Sequence, residues 1–310
     1  MRLKRETVLG VFVTLLSAMT FGTFAVWVEF AYLYLEPWEL LSVQSLLASG
    51  LLLVLVRLKR IKVLSLPKTL LRELVLLGLV GSMLAATCFT WSVKFLPPAI
   101  VTILFYSYPA MVILGSFFWL KTPVNRYHWL AVALTFVGAY LSAGSLEDTS
   151  FSLLGIILAL GAALCTAFYN LQGERVLSSV SPLTAMIVSQ FASTLGFLVI
   201  APPTYLWSGG LPLEGVLITL GATVTASLIP FFLLLKGISL IGAGPASVVS
   251  TFELPTVAVL SYLFLGHTLS LRQILGLLLV VIAIVVIHIG AGHLEQPSPK
   301  EKNFSPPSRN

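Results

Sequence analysis

The stretch AGPASVVSTFELPTVAVLSYLFL, residues 243–265, is where the fold class is decided. At a rise of about 1.5 Å per residue it is long enough to cross the hydrocarbon core of a bilayer as one helix. A single acid, Glu253, falls near its midpoint, two positions before Pro255. An ionisable group at that depth costs roughly 2.5–3.5 kcal/mol on insertion scales and marks a functional site by default. The stretch therefore predicts a membrane-spanning helix built around one deep carboxyl.

The rest of the chain has the same character. Of its 310 residues, 57% are hydrophobic and 10% charged, against about 25% charged in soluble domains. Mean hydropathy is +0.99. This is the composition of an integral membrane protein. Both cysteines, Cys88 and Cys165, fall inside apolar runs, so no disulfide framework or metal cluster is expected. Arg2, Lys4 and Arg5 followed by an apolar run resemble a signal peptide. The run lacks a small-x-small cleavage site before Trp27 and is expected to be a retained first span.

Apolar runs of spanning length recur at 8–28, 37–56, 73–93, 97–119, 127–144, 151–171, 183–203, 213–235, 243–265 and 271–291, joined by short segments rich in Pro and Gly. The expected fold class is an all-α polytopic membrane protein with ten transmembrane helices. With the N-terminus placed in the cytoplasm, 16 of the 18 Lys and Arg fall in cytoplasmic segments. Only Lys94 and Arg272 fall outside, together with Glu36, Glu147 and Asp148. Both termini are thus expected to be cytoplasmic in the inner or plasma membrane, and the net charge of +6 is a topology signal, not a nucleic-acid footprint. The polar, proline-rich residues 293–310 are expected to form a disordered tail.

The chain also repeats itself. At an offset of 145, Gly10 matches Gly155, Ala18 matches Ala163, Glu29 matches Glu174 and Pro37 matches Pro182. At 146, Pro109 matches Pro255, Phe118 matches Phe264, Arg126 matches Arg272 and Gly144 matches Gly290. Five spans per unit is an odd number, so the second unit, 146–292, lies inverted relative to the first, 1–145. That is the plan of secondary transporters, whose sites lie near the midplane where the repeats meet. Small residues recur every four positions at Gly10, Thr14, Ala18 and Gly22, and again at Gly155, Ala159, Ala163 and Ala167. Such stripes let helix backbones approach closely.

Two blocks carry a family resemblance: GISLIGAGPASVVSTFELPTVAVLSYLFLGHTLSLRQILG (237–276) and its first-half counterpart KFLPPAIVTILFYSYPAMVILGSFFWLKTP (94–123). With ten spans in two halves and basic cytoplasmic ends, the chain resembles the EamA-type exporters of the drug/metabolite transporter superfamily, to about residue 291. The resemblance implies export of amino acids or similar small organic compounds. Two departures stand out. Leu254 takes the place before the proline where the family commonly has Glu, and Lys121 and His267 replace its exit glutamates.

The candidate site centres on Glu253. Desolvation disfavours the charged form of a carboxyl, which suits it to exchange a proton for a cationic or zwitterionic substrate. The competing reading is a structural acid bonded to the carbonyl freed by Pro255. Ser107 is its repeat counterpart at offset 146. Pro109 and Pro255 are expected to kink their spans, as hinges or as static bends. Gln44 and Gln190, in the second span and its repeat partner, should face the bundle interior as glue or substrate contacts. Tyr106, Tyr108, Ser250 and Asn170 join them as substrate-binding candidates. Trp91 joins the same set, although it and Trp27 also fit an interfacial aromatic belt. The histidines are expected at interfaces. A deep acid with no deep Lys or Arg beside it argues against strongly anionic substrates.

No nucleophile constellation, metal-ligand spacing or nucleotide loop appears in the sequence, so neither cofactor nor ATP is expected on this chain. The expected function is a secondary carrier with a small-molecule partner in the bilayer, working by alternating access. A membrane scaffold or lipid-handling role and an intramembrane enzyme are the rivals. The fifth and tenth spans have apolar faces open to lipid or to a second copy as a homodimer.

Overall fold

A computed structural model of the protein describes residues 2–61, 66–143, 152–203, 210–266 and 268–291. Lys62, Gly144, Glu147, Asp148, Gly209, His267 and the 293–310 tail lie outside the described residues. Every described element is helical. In chain order these are α1 (Arg2–Gly22), α2 (Phe24–Ala31), α3 (Pro37–Lys59), α4 (Lys68–Leu76), α5 (Ala85–Ser92), α6 (Pro98–Phe105), α7 (Tyr108–Phe118) and α8 (Arg126–Ser142). The second half holds α9 (Leu153–Leu177), α10 (Pro182–Ile200), α11 (Leu213–Thr223), α12 (Ile229–Ile241), α13 (Ala243–Ser250), α14 (Glu253–Leu265) and α15 (Leu271–Ala291).

Nine helical segments among the described residues are long and apolar enough to cross a membrane. The expected fifth span is α8, which has 17 residues and packs along α15. Helix starts follow the local sequence. Glu36 and Glu39 form a capping box ahead of Pro37, Asn125 caps α8, and Ser152 and Ser181 cap α9 and α10. Each places a side-chain acceptor on first-turn N–H groups that have no partner inside the helix.

Several expected spans prove not to be plain α-helices. The third is α4 and α5 joined by wide π-helical turns at Leu77–Leu84, and the eighth is α11 and α12 joined by another at Val224–Leu228. The first is interrupted at Thr23, between α1 and α2. The fourth and ninth are broken outright, at Tyr106–Ser107 and at Thr251–Phe252. The prolines expected to kink these spans lie just past the breaks, in the first turns of α7 and α14. A residue there has no intrahelical N–H bond to lose, so proline fits without bending the helix.

The small-residue stripes are packing surfaces. Thr14 and Gly237 bring α1 against α12, Ser17 donates to the Pro230 carbonyl at 2.7 Å, and Gly22 faces Thr256 of α14. On α9, Ala159, Ala163 and Ala167 are all buried. That helix touches α4 to α7, α10, α12 and α13, as the central column of the bundle. Backbones approach closely between the wide turn of the third span and α10, where a Cβ added at Gly78 would meet the Ser189 carbonyl, and between α8 and α15, where one added at Gly138 would stand 2.7 Å from the Gly276 carbonyl.

Contacts define two ends of the bundle. At one, Asn125 donates to the Gly290 carbonyl and Glu174 meets Ala243. At the other, Arg272 lies over Tyr140, Gly155 faces Leu96, and Tyr34 donates to Glu214 at 2.9 Å. The helices α8 and α15, whose first residues are 145 apart, therefore run antiparallel. The outer surface is apolar, with Leu33, Phe118, Leu153 and Val199 exposed. Such a continuous apolar exterior is the face of a protein whose solvent is lipid.

Candidate functional site

The site lies where these two spans are interrupted. At each interruption the backbone tightens into i→i+3 turns: the Ser107 N–H donates to the Leu104 carbonyl, and the Thr251 and Phe252 N–H groups donate to the Val248 and Val249 carbonyls. Pro109 brings no N–H to the start of α7, so the α-helical bond to the Phe105 carbonyl is missing there. The second half-helices start 145 residues apart and their prolines lie 146 apart, so Glu253 stands opposite the Ser107–Tyr108 pair of the first half. Glu253 occupies the first turn of α14, where the positive end of the helix dipole favours a carboxylate.

Tyr106 and Tyr108 are both buried, in a cluster against which Leu254, next to Glu253, also packs. The Tyr108 hydroxyl donates to the Ser247 carbonyl at 3.1 Å, while the Ser250 hydroxyl donates to the Ala246 carbonyl at 2.8 Å. Phe105 completes an aromatic wall, its ring centroid 5.5 Å from Tyr106 and 5.4 Å from Tyr108. Five candidates from the sequence thus share one region: Glu253, Ser250, Tyr106, Tyr108 and, capping α7, Ser107. The Ser107 hydroxyl itself turns back to the Leu104 carbonyl at 2.6 Å. Glu253 is half-buried next to this aromatic and hydroxyl-bearing region, a setting that can hold a positively charged amine.

The other candidates lie elsewhere. Gln44 is buried on α3, and its Nε2 has no hydrogen-bond partner. Gln190 on α10 reaches Thr194 at 3.5 Å, within a network in which Thr194 also bonds Ser49 at 2.7 Å and the Ser45 carbonyl at 2.9 Å. Asn170 is buried on α9, donating to the Thr166 carbonyl at 2.9 Å while its Oδ1 is unpartnered. Trp91 is exposed at the far end of α5, under the Lys94 ammonium, which also sits 4.0 Å from the Trp38 ring. Trp27 does not belong to an interfacial belt. Its indole N–H donates to Thr225 at 2.8 Å in the wide turn of the eighth span, and its ring fills the space at Gly221. His128, in the first turn of α8, is buried beside Asn125, where its ring completes the cap of that helix.

One group of consequence went unweighed in the sequence. Glu174, at the C-terminal end of α9, accepts a hydrogen bond from the Ala243 N–H at the start of α13. It lines a recess of about 40 Å³ with Ser116, His128 and Gly242. That volume holds a water molecule and not a metabolite. In the sequence Glu174 falls three residues past the expected sixth span, 151–171, and stands out only as the repeat match of Glu29; the helix runs on to Leu177 and carries it into the bundle.

Comparison with known proteins fits this picture. The sequence pattern of the EamA-like transporter family matches twice, at residues 8–144 and 153–289. An uncharacterized transporter of Bacillus subtilis, YvbV, is 28% identical over 83% of this chain and 84% of its own. The threonine/homoserine exporter RhtA of Escherichia coli is 29% identical over 61% of this chain and 62% of its own. An uncharacterized inner membrane transporter of Salmonella typhimurium, YicL, is 25% identical over 70% of this chain and 73% of its own. A protein crystal structure 15% identical in sequence covers 93% of this chain and 99% of its own with a TM-score of 0.73, a match that shows the fold alone.

Proposed function

The chain belongs to the EamA-like transporter family, and from that premise we propose that it is a secondary carrier of the inner membrane, exporting small amine-bearing metabolites such as amino acids in exchange for protons. The observation that carries this reading is the meeting of Glu253 with Tyr106, Tyr108 and Ser250 where two spans are broken. The carboxylate attracts the ammonium group of the substrate, and the tyrosine hydroxyls and Ser250 offer hydrogen bonds to its remaining polar atoms. A proton on Glu253 competes with that ammonium for the same oxygens, which is the linkage an antiporter requires.

The two halves form an inverted pair and rock against each other around this site. Antiparallel α8 and α15 support the inversion, as do paired breaks and paired wide turns at matching places in the two halves. The name of the threonine/homoserine exporter supports amino acids and the outward direction. Gln44, Gln190 and Asn170 line the route as secondary contacts, with the unpartnered Gln44 Nε2 and Asn170 Oδ1 offering bonds to a passing solute.

The test is counterflow in liposomes with the purified protein, using a panel of amino acids, amines and nucleosides. Accelerated exchange of an amine-bearing solute is expected. Absence of counterflow for the whole panel would favour a scaffold in which Glu253 is only structural.

A further inference from the structure

Glu174 lies far along the chain from Glu253, yet the two are connected through a single half-helix. α13 begins at Ala243, whose N–H is held by the Glu174 carboxylate, and ends at Ser250, three residues before Glu253. Its start is a bare helix terminus. The residue before it, Gly242, adopts a φ of +79° and has no side chain with which to cap. A side chain there would meet the Glu174 carboxylate, since an added Cβ stands 3.4 Å from Oε2. Glu174 therefore supplies from another helix the cap that the local sequence omits.

The surroundings are not those of a closed-packed structural cap. The recess beside Glu174 is lined from the first half of the chain by Ile113, Ser116 and His128, and from the second half by Gly242 and Gly244. Ser116 is 5% exposed, and its Oγ faces Gly244 with no hydrogen-bond partner. An unpaired buried hydroxyl beside water-sized space marks a place where water enters. From this recess α7 and α13 run side by side in opposite directions. Ser116 faces Gly244 at one end, and the Tyr108 hydroxyl meets Ser247 at the other. This seam between the two halves leads from the Glu174 end of the bundle to the Glu253 site.

We propose that Glu174 is a positioning residue of the transport cycle: its bond to Ala243 latches α13 against α9 and keeps the α7–α13 seam shut, and its release opens the Glu253 site towards that end. The inference rests on the alternating-access reading above. It assigns Glu174 no contact with substrate.

The test uses the full-length protein in liposomes, with Cys88→Ser and Cys165→Ala as background. One thiol probe is placed in the seam recess, as Ser116→Cys, and another at the opposite end, as Thr90→Cys, beside Trp91 and Phe197. Modification by a membrane-impermeant maleimide is timed with and without Glu174→Ala, which removes the acceptor for the Ala243 N–H. Loss of a helix cap shifts an equilibrium roughly five- to tenfold. Labelling of Ser116→Cys should accelerate by that factor, and labelling of Thr90→Cys should slow. Glu174→Gln, which keeps an acceptor oxygen but loses the charge, should fall between wild type and Glu174→Ala.

Unchanged labelling at Ser116→Cys overturns the latch. Faster labelling there with no change at Thr90→Cys also overturns it, because a frayed helix end does not close the far side. Counterflow in the same liposomes is scored separately, so a failed latch and a failed carrier are distinguishable.

Discussion

The hydroxyl of Tyr108, in the first half of the chain, donates to the backbone carbonyl of Ser247, in the second, at 3.1 Å. The bond crosses the seam between two broken helices, and its acceptor lies on the half-helix that leads to Glu253. Tyr108→Phe removes the donor and leaves the ring in place. A single buried hydrogen bond contributes about 1 kcal/mol, so thermal unfolding in detergent should shift down by only a few degrees. Apparent affinity for an amine substrate should weaken more than stability does. Equal affinity in the variant would remove the tyrosine from the site.

Glu253→Gln keeps shape and hydrogen-bonding capacity but removes the exchangeable proton and the negative charge. The variant is expected to fold and reach the membrane, while proton-driven counterflow is lost. Glu253→Asp should retain part of the activity. Wild-type exchange with wild-type pH dependence in Glu253→Gln would refute proton coupling at this residue.

Gln44 carries a buried amide nitrogen without a partner. If the amide serves packing alone, Gln44→Leu is neutral or stabilising, because no buried donor then goes unpaired. The expected outcome is unchanged or raised thermal stability combined with weaker apparent affinity, roughly tenfold for about 1.4 kcal/mol of lost contact. Unaltered affinity assigns Gln44 to packing.

The crossing of α8 and α15 gives a stability test independent of transport. A methyl group at Gly138 would stand 2.7 Å from the Gly276 carbonyl and 2.8 Å from the Val280 side chain. Gly138→Ala should therefore cost about 1–3 kcal/mol through overpacking. Gly50 on α3 has nothing within 4 Å of an added Cβ, and Gly50→Ala should stabilise by up to about 1 kcal/mol through helix propensity. Thermal denaturation of the two variants in one detergent makes the comparison.

The sequence revealed the architecture well because hydropathy and repetition are both carried by many residues. The Gly10 and Gly155 stripes, the deep Glu253 and the paired prolines all lie where apolar length and a 145–146 offset put them. What stayed hidden depends on backbone geometry. Pro109 and Pro255 advertise a disturbed helix, but whether the chain kinks at the proline or stops just before it is decided by neighbours. Nothing in the composition of Leu77–Leu84 separates a wide turn from an ordinary one. Trp27 suits a lipid interface as well as an interior socket, and only the space at Gly221 decides between them. Glu174 lies just past the expected end of the sixth span, and its partner is a backbone N–H that no side-chain pattern reports.

The wide turns at Leu77–Leu84 and Val224–Leu228 change how these spans must be mapped. Each residue of an α-helix advances the azimuth by about 100°, and a wide turn takes up an extra residue without that advance. A helical wheel drawn through either turn needs a new origin partway along. Deleting one residue from 77–84 would turn the wide turn into an ordinary one and leave α5 facing as it does, with Phe89 edge-on to Phe105 at 5.2 Å, whereas a deletion in α5 ahead of Phe89 would swing that ring away. Indel tolerance in these two spans is thus a question of phase, not of length.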